Sequence, residues 1–573
     1  MDFKEKVIQL LSTETKIKSE EIKKLLTVPP KGLGDFAFPC FVLAKEMKKS
    51  PIAVAQELSE KFSGKNKASF IEKVEAKGPY INFFISADNL SEQVLENIFS
   101  GVAFQTKLGK GKVMVEYSSP NTNKPLHLGH LRNNTLGLAI SNLLEQTGHK
   151  VVKANLVNDR GIHICKSMIA YKKFGNSRDP KKEGIKSDHF VGEMYVLYNE
   201  KLKEDPKLEE EAQEMLKQWE AGNKEVIALW KKMNLWATEG MKETYNEYGT
   251  KFDEWFFESD LFKKGNSKKI IEEGLAKGIF KKEDNGAIVA VLEPEIQNKV
   301  LLRGDGTSLY ATNDLALTQY KFDEFKLDKC IWVVANEQDL YFKQLFKIFE
   351  KLGRKWASDC FHLSYGYVSL TTGKMKSREG TVVDADDLLA EEKEIALQEI
   401  KKRYPALKDK DAQVRAKKIA LAAIKFYLLK NDARKDMVFD AKESISFEGE
   451  TGPYVQYTYA RAKSILRKAK EEKIKYKKGN FDLLIDPKEK ELILALGNFS
   501  DAIKKSWENL SLHSLCHNIL SIAEKFNSFY HEVSVLKSES KELINARLSL
   551  VGAVSITIKK GLEILDVEAI EEM

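Results

Sequence analysis

The sequence predicts a chain built around a parallel α/β domain, with a small α+β domain before it and an all-α bundle after it. Three observations support this fold class. A β-branched run at 113–115 is followed by a polar turn, a helical pattern and a second β run at 151–157, the order of a parallel β-α-β unit. Strand and helix patterns alternate again over 300–395, and from about residue 400 the apolar spacing is helical to the end.

Length and composition narrow the possible classes of protein. A chain of 573 residues exceeds a single core, so about three or four domains are expected. Lysine and arginine outnumber aspartate and glutamate by 92 to 85, which weakly favours an anionic partner. Five scattered cysteines without a C-x-x-C pair argue against a zinc ribbon or a disulfide framework and favour the cytoplasm. We expect no signal peptide and no membrane partner, because no run nears the roughly 20 apolar residues of a membrane span.

Residues 1–105 are predicted to form the separate α+β domain. Helices are predicted over 3–13 and 50–62, and a Gly-Pro turn within 77–85 leads into a strand. Tyr80 and Asn82 alternate with apolar neighbours, so we expect both side chains to face solvent. An exposed tyrosine beside an asparagine can stack on an unpaired base and hydrogen-bond its edge.

The stretch 112–150 carries the most specific local pattern. A strand breaks at Ser-Ser-Pro-Asn, and the helix after this turn begins near His-Leu-Gly-His and stops at a glycine. A helix start offers N–H groups and the positive end of its dipole to phosphate oxygens. Gly129 allows a flat ring or a phosphate to approach, and His127 and His130 can donate hydrogen bonds to a developing charge. Lys124 adds a cation. For His-x-Gly-His alone, surface histidines or a partial metal site remain alternatives.

A segment of about 161–300 is predicted to be a charged, largely helical insertion in the α/β domain. Its aromatic residues are predicted to form the core of this helical lobe, with stacking on nucleic acid as the alternative. They are Trp219, Trp230, Trp236, Trp255, Phe256 and Phe257.

Polar residues follow the next predicted elements. Tyr310 and Asp314 lie four apart on a predicted helix and therefore share a face. The apolar strand 330–335 ends in Asn-Glu-Gln-Asp, which brings Gln338 to the carboxyl edge of the sheet. Glu116 and Asn121 end an earlier strand in the same way, so these side chains are expected to face one crevice.

A basic stretch at 371–380 follows a strand predicted over 361–370. Flexible cationic loops can close on a pyrophosphate leaving group, although such a loop can equally be solvated surface. Beyond it, helices are predicted over 414–430, 487–506, 512–530 and 546–562.

Two of these strings resemble motifs of a known family. The string EYSSPNTNKPLHLGH, which ends at His130, closely resembles the arginyl-tRNA synthetase form of the HIGH motif of class I aminoacyl-tRNA synthetases. TTGKMKSREG resembles the second class I motif, KMSKS, and Lys374 matches its first lysine. At the position of the motif's second lysine, this chain has Ser377. In arginyl enzymes a lysine placed like Lys124 is thought to substitute, and Lys376 and Arg378 are the other candidates.

The resemblance covers nearly the whole chain. It implies an N-terminal tRNA-binding domain (1–105), a Rossmann-like catalytic domain (106–400) with the insertion, and a helical stem and anticodon-binding domain (401–573). It implies a ligase that activates arginine with ATP and transfers it to the 3′ end of tRNA. The partners it implies are tRNA(Arg), ATP and L-arginine, with Mg²⁺ carried by ATP and no metal site in the protein. We expect a monomer in the cytoplasm.

The resemblance also implies roles for single residues. The implied catalytic residues are His127, His130, Lys374 and Lys124. The implied ATP-binding residues are His127, Gly129, His130, Leu131, Lys374, Met375 and Lys376. The implied arginine pocket is Glu116, Asn121, Tyr310, Asp314 and Gln338, with the aspartate at the guanidinium. The implied tRNA contacts are Tyr80, Asn82, Tyr530 and Met573.

Three alternatives remain on the sequence alone. Asp314 together with Glu116 argues against a class I ligase for another amino acid, because a guanidinium prefers a carboxylate partner. The resemblance implies that Asp314 is this partner and that Glu116 and Asn121 lie nearer the α-amino and carboxylate ends of arginine. The intact histidines and Lys374 argue against a non-catalytic tRNA-binding paralogue. A small-molecule nucleotidyltransferase with the same motif would not need two further RNA-sized domains.

Overall fold

The computed structural model describes residues 3–30, 32–63, 68, 70–175, 178–260, 266–305, 309–370, 383–474 and 480–573. The chain forms two compact units. The first comprises Met1–Phe104, Arg461–Ser500 and Ser521–Ile558. The second comprises Gln105–Ala460, Asp501–Leu520 and Lys559–Met573, and it contains the strand, turn and helix of the His-Leu-Gly-His stretch.

The first unit contains an antiparallel sheet with strand order β1-β3-β2, formed by β1 (Phe36–Pro39), β2 (Ile71–Lys77) and β3 (Tyr80–Ile85). Its N-terminal helices are α1 (Phe3–Thr15), α2 (Ser19–Leu25), α3 (Phe41–Met47), α4 (Pro51–Ser63) and α5 (Ala87–Phe99). The strand β3 is central and supplies the buried side chains Ile81 and Phe83, which the alternation of apolar residues places on one face.

A five-stranded parallel sheet forms the centre of the second unit. Its strands are β4 (Lys112–Glu116), β5 (Lys150–Val157), β6 (Glu254–Phe257), β10 (Lys329–Ala335) and β11 (Cys360–Tyr365), in the order β11-β10-β4-β5-β6. The strands are apolar runs because both faces of a parallel sheet are covered. The chain leaves β4 toward one edge and later returns to its other side, so the winding switches at β4. Ligands bind beyond the carboxyl ends of strands at such a switch point.

Helices and short strands complete the second unit and the C-terminal third. The helices before residue 330 are α6 (Leu128–Gln146), α7 (Ile162–Phe174), α8 (Pro180–Glu183), α9 (Ser187–Glu204), α10 (Leu208–Glu220), α11 (Lys224–Tyr248), α12 (Asn266–Ala276) and α13 (Tyr310–Phe325). The later helices are α14 (Asp339–Lys351), α15 (Ala385–Arg403), α16 (Asp409–Leu429), α17 (Ala441–Ser444), α18 (Gly452–Glu471), α19 (Pro487–Gly497), α20 (Phe499–Asn509), α21 (His513–Glu532) and α22 (Lys541–Ile564). The remaining strands are β7 (Phe280–Lys282), β8 (Ile288–Ala290), β9 (Lys299–Leu302), β12 (Val368–Leu370) and β13 (Met437–Phe439).

Local signals in the sequence set several helix ends. The Asn223 side chain accepts hydrogen bonds from the N–H groups of Glu225 and Val226 at the start of α11, and Gly249 follows the helix with a φ of +85°. The Asp384 side chain caps α15 in the same way. Such a cap stabilises a helix by about 1 kcal/mol, and glycine adopts the left-handed region at little cost.

The predicted fold class is confirmed, with three differences in its elements. The aromatic run at 255–257 forms most of β6 and joins the main sheet, so it is not part of the helical lobe. The strand predicted over 361–370 divides into β11 and β12, and the helix predicted over 487–506 divides at Asn498. Within the described residues, no helix is long and apolar enough to cross a membrane.

Candidate active site

The His-Leu-Gly-His sequence forms the first turn of α6. His127 is the N-cap residue, and its Nδ1 accepts a hydrogen bond of 3.1 Å from the N–H of Gly129. The Nδ1 of His130 accepts a hydrogen bond of 3.1 Å from the N–H of His127. The two side chains form a capping box, with ring centroids 3.9 Å apart. The helix start is therefore capped by imidazoles, a role that the sequence pattern did not predict.

Both imidazoles are neutral at pH 7. Burial, and then the charge of Lys124, lowers the pKa of His127 to about 4. Burial also lowers the pKa of His130 well below its usual value, with His127 and Lys124 adding to the effect. Because each Nδ1 accepts a main-chain N–H, the proton of each neutral ring is on Nε2. Each ring therefore keeps an Nε2–H donor for a ligand.

Two neighbours of these histidines are constrained by packing. A Cβ on Gly129 would lie 2.9 Å from Cε1 of His127, so glycine is needed for that ring to cap the helix. We expected a ligand ring or a phosphate to approach Gly129 closely, and in the structure the imidazole of His127 makes that approach. Leu131 is fully buried beside Leu126 and Leu128. Its N–H donates to the carbonyl of His127 and its carbonyl accepts from the hydroxyl of Thr135, so the ATP contact predicted for it stays a prediction.

The chain after the basic stretch is hydrogen-bonded to this same turn. The N–H of Leu128 donates to the carbonyl of Val383 (2.9 Å), and the N–H of Ala385 donates to the carbonyl of Leu126 (3.0 Å). The predicted residues of the basic stretch lie outside the described part of the chain: Lys374, Met375, Lys376, Ser377 and Arg378.

A cavity of about 800 Å³ opens at the carboxyl ends of β4, β5 and β10. Small-molecule sites commonly enclose about 300–1,000 Å³. All five residues predicted for the amino-acid pocket line this cavity: Glu116, Asn121, Tyr310, Asp314 and Gln338. The structure thus brings these side chains together, and the roles predicted for them stay predictions.

Asp314 presents a carboxyl group to this cavity. The hydroxyl of Tyr341 donates a hydrogen bond to its Oδ2. Burial raises the pKa of Asp314 to about 6, and Glu116 adds to the rise, while Tyr341, Lys321 and Lys299 oppose it. Since burial penalises its charged form, this carboxylate would be stabilised by a cation bound beside it.

Glu116 already has a cationic partner within the protein. The Nζ of Lys321 lies 2.5 Å from its Oε2, and the two side chains are only 1% and 6% exposed. The same ammonium group lies over the rings of Phe256 and Trp332, at 5.2 and 5.6 Å. Glu116 is therefore neutralised from inside the fold, whereas Asp314 has a hydroxyl as its hydrogen-bond partner.

Glu258 is a pocket residue that the sequence reasoning missed. It directly follows β6, lines the same cavity, and is 6% exposed. Burial raises its pKa to about 7, with Arg160 opposing and Asp314 and Asp159 adding to the rise. Among the described residues, its buried Oε2 has no hydrogen-bond partner. The available signal was an acidic residue directly after an aromatic strand. This signal was not recognised, because residues 255–257 were assigned to the helical lobe.

A cluster beside this site has the composition of a metal site. Asp188, His189 and Asp386 bring ligand-type atoms within 4.8 Å of one another. The Nζ of Lys186 lies 3.1 Å from Asp188 Oδ2 and 2.7 Å from Asp386 Oδ2. This ammonium group already supplies the positive charge that a metal ion would bring. The cluster is therefore an ion-pair network that joins the start of α9 to the start of α15.

The predicted tRNA residues of the first domain differ in exposure. Tyr80 is 39% exposed and packs edge-on against the exposed ring of Phe41. Asn82 is 3% exposed, so the expectation that it faces solvent is wrong. It lies on the central strand β3 between Ala37 and Glu75, and the backbone at Gly34 covers it.

The two C-terminal tRNA predictions also differ in their surroundings. Tyr530 is 39% exposed, and the guanidinium of Arg461 lies 4.8 Å from its ring centroid. Met573 packs against the hydrophobic cluster formed by α15 and α16, which includes Ile400 and Ala416. Contacts of either residue with tRNA stay predictions.

Three family descriptions match successive parts of the chain. Residues 1–85 match the arginyl tRNA synthetase N-terminal domain, and residues 93–441 match the catalytic domain of class I tRNA synthetases (R). Residues 455–573 match the DALR anticodon binding domain. The matches follow one another in chain order.

Individual relatives are similar over nearly the full length. The chain is 43% identical to an arginine–tRNA ligase of Treponema denticola, covering 97% of this chain and 96% of that one. It is 41% identical to the enzyme of Parabacteroides distasonis, covering 94% of each. The arginyl-tRNA synthetase structure from Thermus thermophilus superposes with a TM-score of 0.82 at 28% identity, covering 99% of each chain.

Proposed function

The chain belongs to the class I arginyl-tRNA synthetases, and we propose that it uses the crevice at the switch point of its parallel sheet for its reaction. That reaction is the ATP-dependent activation of arginine to arginyl-adenylate, followed by transfer to the 3′ end of tRNA. One observation carries the proposal. The histidine-capped start of α6 and a cavity lined by buried carboxyl groups both lie beyond the carboxyl end of β4.

Arginine binds with its guanidinium between Asp314 and Glu258. Both carboxyl groups line the cavity, and burial raises the pKa of each. A guanidinium offers a planar fork of N–H donors, which suits carboxylates in bidentate geometry. Lysine lacks the fork and would leave buried acceptors unpaired, which is a strong basis for rejection. Asn121 and Gln338, at the strand ends, are proposed to hold the α-amino and carboxylate groups.

ATP binds at the start of α6. The first-turn N–H groups of His127 and Gly129 are occupied by imidazole nitrogens, so the donors left for the α-phosphate are the Nε2–H groups of His127 and His130. Lys124 and Lys374 are proposed to neutralise the phosphates, and Mg²⁺ is proposed to come with ATP. The reaction needs no nucleophile from the protein, because the carboxylate of arginine is itself the nucleophile.

The activation step needs no reactant besides arginine and ATP. A carboxylate oxygen of arginine forms a bond to the α-phosphorus, and the bond from that phosphorus to the bridging oxygen breaks. Pyrophosphate leaves with the electron pair. The charge that develops on the α-phosphate oxygens is stabilised by the fixed imidazole donors, which need no reorganisation.

tRNA(Arg) is proposed to contact Tyr80 in the first unit and Tyr530 near the end of α21. Both are partly exposed aromatic residues, which can stack on unpaired bases. The domain limits 1–105, 106–400 and 401–573 remain part of this proposal. So do a monomeric state and a cytoplasmic location, the latter supported by cysteines that are free and buried.

Arginine-dependent ATP–pyrophosphate exchange tests this proposal. We expect exchange with arginine that depends on added tRNA(Arg). Exchange with a different amino acid would contradict the pocket assignment while retaining the class I reaction. Silence with all amino acids and total tRNA, from folded protein, would contradict the catalytic assignment.

A further inference from the structure

Arg132 is a buried cation on the helix that begins with the two histidines. It is 1% exposed, and its guanidinium donates four hydrogen bonds, all to main-chain carbonyl oxygens. One terminal nitrogen donates to Gly366 (2.8 Å) and Tyr367 (2.7 Å). The other donates to Ala433 (2.9 Å) and Lys435 (2.8 Å). One side chain therefore joins α6 to two segments that are distant in the sequence.

These two segments form one tightly packed corner. The strands directly after them, β12 and β13, pair in parallel. Asp436 Oδ1 accepts a hydrogen bond of 2.7 Å from the N–H of Tyr367. A Cβ on Gly366 would lie 2.5 Å from this same oxygen, so glycine is required at the turn. The corner divides the strand predicted over 361–370, and Arg132 fastens it to α6.

The corner lies close in the chain to the basic stretch. The strand β12 ends at Leu370, directly before residues 371–382. On the other side of that stretch, the carbonyl of Val383 accepts its hydrogen bond from the N–H of Leu128. Both described flanks of the basic stretch are therefore attached to the first turns of α6, one of them through Arg132.

A purely structural role explains a buried arginine poorly. Burying a charge costs several kcal/mol, and well-packed apolar residues often stabilise a core as well as buried charges do. The rigid guanidinium fork instead fixes the directions of its hydrogen bonds. We propose that Arg132 is a positioning residue for arginine activation, which sets where the chain enters the basic stretch relative to His127 and His130. This inference rests on the proposed function.

The substitution Arg132→Lys is the first test, because lysine keeps the charge but cannot span both segments with a fork. We expect kcat for tRNA-dependent ATP–pyrophosphate exchange to fall about a hundredfold, the effect of a misplacement of about 1 Å. The dissociation constant for arginine, measured by calorimetry without ATP, should change less than about twofold, because the corner does not line the cavity. Ile140→Ala is the matched control: it lies in the same helix, is 1% exposed, and should destabilise the fold without lowering kcat.

A second variant changes Asp436, an exposed residue of the same corner. Asp436→Ala removes the acceptor of the Tyr367 N–H, and we expect kcat to fall about tenfold. Combined with Arg132→Lys, its effect should be less than multiplicative, because both act on one corner. Normal kcat in Arg132→Lys, or a loss that Ile140→Ala reproduces at equal thermal stability, would overturn the proposal. If the Arg132 variant does not fold, normal kcat in Asp436→Ala overturns it. A wild-type protein without arginine-dependent exchange would instead contradict the proposed function.

Discussion

Lowering the pH from about 8 to about 6 is expected to weaken arginine binding about twentyfold, because the two pocket carboxyls take up protons in this range. Burial raises the pKa of Glu258 to about 7 and that of Asp314 to about 6. The guanidinium binds the ionised forms, so a raised pKa means that affinity rises with pH through this window. Ordinary carboxyl groups, with pKa values of about 4, would be fully ionised throughout it.

The magnitude is set by the ionised fractions. At pH 6 about one eleventh of Glu258 and about half of Asp314 are ionised, whereas at pH 8 nearly all of both are, a ratio of about twenty if they titrate independently. Isothermal titration calorimetry over this range gives the affinity. The same titration in buffers of different ionisation enthalpy should show release of about 0.6 proton per arginine bound at pH 7, most of it from Glu258.

Two variants isolate the contribution of Glu258. Glu258→Gln keeps the size of the side chain and removes its titration, so the pH effect should shrink to about twofold, the part due to Asp314. Glu337→Gln changes an exposed carboxylate that does not line the cavity, and should retain the full effect. Constant wild-type affinity across this pH range, or an undiminished pH effect in Glu258→Gln, would refute the reasoning.

Other substitutions test single contacts. Asp314→Asn should lower kcat/KM for arginine in pyrophosphate exchange about a hundredfold or more, with an unchanged thermal midpoint, because the amide cannot pair with the guanidinium charge. Tyr341→Phe removes a donor that lowers the pKa of Asp314, so calorimetry at pH 7 should show several-fold weaker arginine binding. Lys321→Met leaves Glu116 as an uncompensated buried charge, and urea denaturation should show a loss of about 3–5 kcal/mol in the free energy of unfolding. His130→Ala should lower kcat for exchange about a hundredfold while the arginine dissociation constant is unchanged.

The amino-acid cavity shows what sequence periodicity can predict. Tyr310 and Asp314 share a helix face because the helix repeat requires it, and both line the cavity. Asn121 and Gln338 line it because they follow parallel strands whose carboxyl ends meet at one edge. These predictions needed only the type of each element and the direction of the sheet.

Features that depend on distant parts of the chain were not predictable in this way. Glu258 was missed because 255–257 was assigned to the helical lobe, and these residues form a strand by pairing with β5, about 100 residues earlier in the chain. The burial of Asn82 depends on the close approach of the backbone at Gly34, which strand alternation does not reveal. The capping of α6 by His127 depends on its side-chain rotamer, and the division of the strand at Gly366 depends on packing against Asp436.

Comparing arginine with citrulline in tRNA-dependent pyrophosphate exchange tests the central claim most directly. Citrulline has nearly the same shape, but a neutral urea replaces the guanidinium. If Asp314 and Glu258 recognise a cation with a fork of donors, kcat/KM for citrulline should be about ten-thousandfold lower, as for sites that lose a required buried hydrogen-bond partner. Citrulline activated within about tenfold of arginine would contradict recognition through paired carboxylates.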